Sequence, residues 1–274
     1  MKDLLLTSIT IYPIKSLGGI SLSSAIAEER GLKYDRRWML INENNIFISQ
    51  RECSEMAMIT VQFVEDGFTL SSKQDPIKQI TIPFTINNGN TLMVKIWDDT
   101  CQAIHYNETI DKWFQELLGI NCRLVYMPDH SRRYIDKDYA KDNEVVSFAD
   151  GYPFLIIGEA TLADLNNRLS NQIPMNRFRP NFVFSGGEAF EEDDWKKFNI
   201  GEVSFLGVKP CGRCVITTID QETAERSSEP LKTLSTFRRK NNSVLFGQNL
   251  ILDSEGIVNV GDHLVVGEYT NDEL

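Results

Sequence analysis

The sequence predicts a mainly β protein with a few helices, an α+β fold of curled sheets or barrels. Three observations carry that reading. Short runs rich in β-branched and aromatic residues recur along the chain, turn residues separate many of them, and only three stretches show helical spacing. Many short strands with few helices favour barrels or curled sheets over a doubly wound fold. With 274 residues the chain has room for one large domain or two intimate ones around a substantial core.

The first strand is Leu4–Tyr12, where alternation and β-branched residues suit an extended backbone. Similar runs follow at Trp38–Asn42, Leu92–Trp97, Gln102–Tyr106, Arg123–Met127, Phe154–Ile157, Phe182–Phe184, Val203–Val208, Val215–Ile219, Asn249–Leu252 and His263–Val266. Asn88-Gly89, Asp98-Asp99 and Ser185-Gly186-Gly187 supply turns. Over Glu108–Leu118, Ile110, Trp113, Phe114, Leu117 and Leu118 form one apolar stripe, and Gly119 stops the helix. Glu159–Leu169 sets Leu162, Leu165 and Leu169 on one face, and Pro230 opens a third helix carrying Leu231, Leu234 and Phe237. These stripes are core. The charge-dense stretch Asp129–Glu144 reads as a long surface loop, and a boundary near it divides the chain into 1–125 and 126–274.

Composition narrows the function classes. A net charge of −11 without any basic run argues against a nucleic-acid partner, because a phosphate backbone would be repelled. The apolar run Leu4–Leu6 is too short for a signal peptide, and nothing approaches the roughly 18 apolar residues of a membrane span. Five scattered cysteines, an odd number, make poor material for a disulfide framework and point to a reducing compartment, the cytoplasm.

Chemistry concentrates in KPCGRCVITTID, residues 209–220. A structural zinc site needs four ligands, yet the chain has three unpaired histidines and no second CxxC. A thioredoxin-like dithiol opens a helix, whereas the β-branched run Val215–Ile219 favours a strand. What distinguishes the stretch is Arg213 beside Cys214, placed to favour the thiolate, a soft ligand for metals that accept sulfur. Elsewhere lie groups suited to an oxyanion: Lys15-Ser16 in YPIKSLGG, Arg36-Arg37 in YDRRW, and Arg177 with Arg179 in NRFRPN. The residues themselves reach as far as an anion-binding site plus one reactive thiolate.

The same residues resemble the MOSC-domain family, which includes the mitochondrial amidoxime-reducing component and bacterial relatives. IYPIKSLGG and GLKYDRRWMLIN resemble its amino-terminal region. DGYPFLIIGEATLADLN, NRFRPNFVFSG, CGRCVITTID, EPLKTLSTFRR, LFGQNLIL and VGDHLVV resemble the rest, in order, so the likeness spans nearly the whole chain. It implies a MOSC-type β-barrel with an N-terminal mixed α/β, barrel-like associated region. It also implies a molybdenum cofactor whose metal takes one protein sulfur, from Cys214, with Cys211 a bystander. The family's pterin-phosphate contacts map onto Lys15, Ser16 and Arg36. FRPN places Arg179 and Asn181 at the cofactor, Ala149-Asp150-Gly151 and Gly212-Arg213 fall where the family uses donors, and Asn249 matches a further cofactor-facing position.

The implied reaction is two-electron reduction of N–O bonds in small N-hydroxylated substrates, with the protein holding the metal, excluding water and orienting the N–OH group. Some bacterial relatives carry a fused ferredoxin-type domain marked by clustered cysteines, and mitochondrial ones an N-terminal anchor. Neither pattern is present in this sequence, so a separate electron-transfer protein (a flavoprotein reductase, ferredoxin or cytochrome) and no membrane are expected. Two rivals stand beside this expectation. One is a sulfur-carrier or cofactor-handling protein using Cys214 as a persulfide thiol; the other is a non-catalytic domain that has lost the metal.

Overall fold

Strand Leu5–Ile11 has a bulge between Leu6 and Ser8, which brings Leu6, Ile9 and Ile11 into one buried row. What that row packs on is given by a computed structural model that describes residues 3–86 and 89–270. The Asn88 half of the Asn88-Gly89 turn lies outside the described residues. Leu5–Ile11 pairs antiparallel with Phe182–Ser185 and with Ile20–Leu22. Among the described residues these belong to a nine-stranded sheet. Its order is Leu264–Tyr269, Trp195–Ile200, Val203–Arg213, Ser243–Leu252, Phe154–Gly158, Phe182–Ser185, Leu5–Ile11 and Ile20–Leu22, with Arg239–Lys240 beside Ser243–Leu252. An early strand therefore closes against strands drawn from the second half of the sequence.

Among the described residues there are three smaller sheets. Trp38–Ile41, Arg123–Tyr126, Asp99–His105 and Asn90–Ile96 form one, Ile59–Val64, Gly67–Ser72 and Gln79–Pro83 a meander, and Gly256–Asn259, Ser24–Glu28 and Gly31–Leu32 a third. Among the described residues there are three α-helices: α1 (Glu108–Leu118), α2 (Glu159–Arg168) and α3 (Leu231–Phe237). The fold is α+β and mainly β, as expected. The side chain of Asn107 accepts from the Ile110 amide to start α1, and Gly119 ends it in the left-handed region at φ 67°. α2 joins a parallel pair of the large sheet, Phe154–Gly158 with Phe182–Ser185. Phe154, Phe182, Phe184, Trp195, Phe198 and Phe205 fill the core under that sheet, and Trp38, Phe68 and Phe114 fill a second core beneath α1.

Two local expectations are corrected. The run Val203–Val208 continues as a strand to Arg213, so Cys211 lies on it, and Val215–Thr218 is a 3₁₀ turn rather than a strand. The threonines explain the second change. Thr217 Oγ1 donates to the Cys214 carbonyl (3.0 Å) and Thr218 Oγ1 to the Val215 carbonyl (2.8 Å), back-bonds that stabilise a turn which isoleucine or valine could not. The charged stretch Asp129–Glu144 is irregular, yet it delivers the buried Arg133 to the interior.

Glu192 is fully buried and accepts from the Gly158 amide (3.2 Å) and from Thr161 Oγ1 (2.9 Å). Burial pushes its carboxyl up to about 7, with those hydrogen bonds opposing. Because the folded value is raised, its contribution to stability is full below the ordinary value of 4.5 and is lost as pH rises through about 7. Glu192→Gln mimics the protonated acid and is expected to remove that loss, about 3 kcal/mol. Urea unfolding of both proteins at about pH 5 and about pH 8 reads the difference. Parallel pH dependence in the two would clear Glu192 of this role.

Candidate cofactor site

Strand Val203–Arg213 pairs with Ser243–Leu252 through two register shifts, between Gly207 and Lys209 and between Pro210 and Gly212. Such bulges re-aim side chains, and here they turn Lys209, Cys211 and Arg213 into the wall of a cavity of about 290 Å³. The first shift needs Gly207, since a Cβ there would sit 2.0 Å from the Trp195 carbonyl oxygen. Cys214 follows the strand in extended geometry (φ −124°, ψ −178°), and the 3₁₀ turn behind it holds its carbonyl through the Thr217 amide (3.1 Å). The cavity is also lined by Lys15, Ser16, Arg36, Asp150, Gly151, Arg179, Asn181, Gly212, Cys214 and Asn249, so the structure brings together the residues that the family resemblance places at the cofactor.

The charge of this cavity is opposite to that of the protein. Among the described residues Lys15, Arg36, Arg177, Arg179, Lys209 and Arg213 face it with one carboxylate, Asp150, in a chain of net charge −11. Ser16, Arg36 and Arg179 all have positive φ (69°, 47° and 54°), a conformation that side chains other than glycine adopt at a cost and that tends to gather at functional positions. Arg36 and Arg179 hold their guanidinium carbons 4.3 and 4.1 Å from the Tyr12 ring centroid. Arg36 further donates to Asp35 (2.6 Å), Asn181 Oδ1 (3.2 Å) and the Arg179 carbonyl (3.1 Å). Among the described residues, Arg177 Nε, Arg179 Nη2 and Arg213 Nη2 are buried with no hydrogen-bond partner. Unmatched buried donors are costly, and an anion held among them would offset that cost.

Lys15 donates to the Phe148 carbonyl (2.8 Å) and pairs with Asp150 (2.6 Å). Burial pushes its ammonium down to about 8, with Asp150 opposing. Desolvation raises the Asp150 carboxyl, but Lys15 and Arg51 outweigh it and hold the group well below the usual carboxylate range, although its side chain is 57% exposed. Arg133 fixes the loop that presents Asp150 and Gly151, donating to the carbonyls of Ser147 (2.9 Å) and Asp150 (2.8 Å).

The charge beside the thiol is not that of its neighbour in sequence. Arg213 turns away from Cys214, donating to the carbonyls of Phe246 (2.8 Å) and Phe178 (2.9 Å). The cation at the sulfur is Arg51, whose Nη2 lies 3.0 Å from Cys214 Sγ and which no local pattern marks. Arg37 is also outside the cavity, bound to the Met127 carbonyl and Asp129. Asn181 lines the wall, but its side chain is occupied within the protein: Nδ2 donates to the Thr10 carbonyl (3.2 Å), and Oδ1 accepts from the Leu155 amide (3.2 Å) and Arg36. Cys211 also lines it, and burial pushes its thiol up while the Asn249 side chain bonds to it.

Among the described residues no three or more His, Cys, Asp or Glu side chains converge to hold a metal ion. The donor set therefore fits a group that brings its own metal ligands, carries negative charge, and takes one soft sulfur from the protein.

Comparison with known proteins follows the same line. A family model described as "MOSC domain" matches residues 143–265, and one described as "MOSC N-terminal beta barrel domain" matches residues 4–121. The chain is 33% identical over 270 residues to the mitochondrial amidoxime-reducing component 1 of Mus musculus, covering 92% of this chain and 79% of that protein. It is 32% identical over 270 residues to that of Homo sapiens, covering 92% and 80%. It is 30% identical over 289 residues to the molybdenum cofactor sulfurase of Oryza sativa subsp. japonica, covering 98% of this chain and 35% of the sulfurase.

Proposed function

This chain belongs to the MOSC-domain family, and from that premise we propose that it is a molybdenum-cofactor-dependent reductase of N-hydroxylated compounds, fed by a separate electron-transfer protein. One observation carries the reading: a cationic cavity in an acidic protein, with unmatched buried guanidinium nitrogens, has a thiol in its wall. In this reading Cys214 supplies the sulfur ligand. Lys15, Ser16, Arg36, Arg179 and Arg213 hold the pterin phosphate, with Arg177 and Lys209 adding positive charge. Asn181 orients Arg36, the Asp150-Gly151 loop and the Gly212 backbone close the wall, and Asn249 keeps Cys211 apart from the metal.

When bound, the cofactor supplies the two-electron change of oxidation state that N–O cleavage requires. The balanced reaction takes the N-hydroxylated compound, two electrons and two protons to the amine or amidine and water. The chain's own part is to bind, to keep the reacting N–OH group out of bulk water, and to set positive charge where the cofactor's negative charge lies. No helix among the described residues is long and apolar enough to cross a membrane, and all five cysteines are free, which suits a reducing compartment such as the cytoplasm.

The sulfurase match supports a second reading, in which Cys214 carries a persulfide and the cofactor is a passing ligand. The two are separated by purifying the protein from a host that makes molybdenum cofactor, measuring molybdenum through gel filtration, and assaying benzamidoxime reduction with an artificial donor. About one molybdenum per chain, retained, with N-reduction, supports the reductase. Rapid loss of the metal to an acceptor protein with no N-reduction favours the carrier, and reduction by a metal-free preparation sinks the molybdenum reading.

A further inference from the structure

Arg51 is a long side chain held at several points. Its Nη2 lies 3.0 Å from Cys214 Sγ and 3.5 Å from the Asp150 carboxylate, and its guanidinium carbon sits 4.5 Å from the Trp97 ring centroid. Its backbone is fixed too: the Arg51 carbonyl accepts from Arg226 (3.0 Å), and the neighbouring Gln50 side chain donates to the Ser16 carbonyl (2.7 Å). Trp97 stands at the hairpin tip between Asn90–Ile96 and Asp99–His105 with φ 55°, a costly conformation for a bulky aromatic. The hairpin thus keeps an indole against the guanidinium despite a conformational cost. A guanidinium stays charged at any working pH and donates in a fixed fork, so the charge facing the sulfur is permanent and directional.

We propose that Arg51 is a positioning residue that holds the Cys214 sulfur by a charged N–H···S hydrogen bond and, in the metal-loaded protein, raises the reduction potential of the bound molybdenum. The inference rests on the reading that Cys214 ligates that metal. Its physical basis is general: a donor to a metal-bound sulfur withdraws electron density from it, and hydrogen bonds to sulfur tune metal-centre potentials. Trp97 acts one step further out, limiting the orientations open to Arg51.

The test is a redox titration, followed by the spectrum of the molybdenum, on loaded wild type, Arg51→Met, Arg51→Gln and Trp97→Ala. Arg51→Met is expected to lower the equilibrium constant for one-electron reduction about tenfold, which is about 59 mV towards negative potential. Arg51→Gln keeps a donor without the charge and is expected to fall between Arg51→Met and wild type, and Trp97→Ala to shift the same way by less. If Arg51→Met takes up no metal, the other two variants carry the test. An unchanged or more positive potential in the loaded Arg51 variants overturns the proposal while leaving the reductase reading intact. Wild type that holds no molybdenum removes both.

Discussion

Cys214→Ser is expected to give a folded protein that contains no molybdenum and reduces no N-hydroxylated substrate, whereas Cys211→Ser keeps both. The two cysteines lie three residues apart in the wall of one cavity, so proximity does not separate them. Environment does. Cys214 Sγ faces a guanidinium at 3.0 Å, and a serine hydroxyl is too hard a donor to replace thiolate on a sulfur-seeking metal. Cys211 sits on the strand against the apolar cluster that includes Phe178 and Phe246, and burial pushes its thiol up. Neither substitution removes a large apolar group, so thermal unfolding is expected to stay near wild type. The check is metal analysis of the three purified proteins beside their melting curves. Molybdenum lost from Cys211→Ser but kept by Cys214→Ser would reverse the assignment.

Asn181→Leu is expected to lower stability by about 2–4 kcal/mol and to weaken cofactor retention. Asn181 is 2% exposed and joins three segments. Its amide donates to the Thr10 carbonyl on the first strand, and its carbonyl oxygen receives the Leu155 amide and the Arg36 guanidinium. Its own backbone donates to the Leu155 carbonyl (2.9 Å) and accepts from Thr10 (2.9 Å). Leucine keeps the size but leaves the Leu155 amide and the Thr10 carbonyl buried without their side-chain partner, and it frees Arg36 from one of its anchors. Urea unfolding of the apoprotein measures the first effect, and molybdenum content after gel filtration the second. A stability change below about 0.5 kcal/mol would mean that water or a small shift of Thr10 and Leu155 satisfies those groups.

Much of the fold was legible because its signals are local. The α1 stripe from Ile110 to Leu118 has a capping Asn before it and a glycine after it, and each acts within one turn of the residue it controls. Strands such as Trp38–Ile41 and Phe154–Gly158 are wholly buried, and their apolar runs show it. The meander Ile59–Pro83 carries no such local signal, since its outward residues are mixed and its hairpins depend on pairing rather than composition. Val215–Ile219 misled for the opposite reason. β-branched density favours a strand, but threonine hydroxyls can satisfy nearby carbonyls and close a turn instead.

By itself the sequence determined the residue types of the site: a cysteine set apart from any ligand partner, and cations at Lys15, Arg36, Arg179 and Arg213. Only the tertiary structure decided their roles. Which cation meets a sulfur depends on where strands far apart in the chain cross, and neighbours in sequence along an extended strand point to opposite faces. For that reason Arg213, one residue from Cys214, is bound to the Phe246 and Phe178 carbonyls, while Arg51 arrives beside the thiol from 163 residues away.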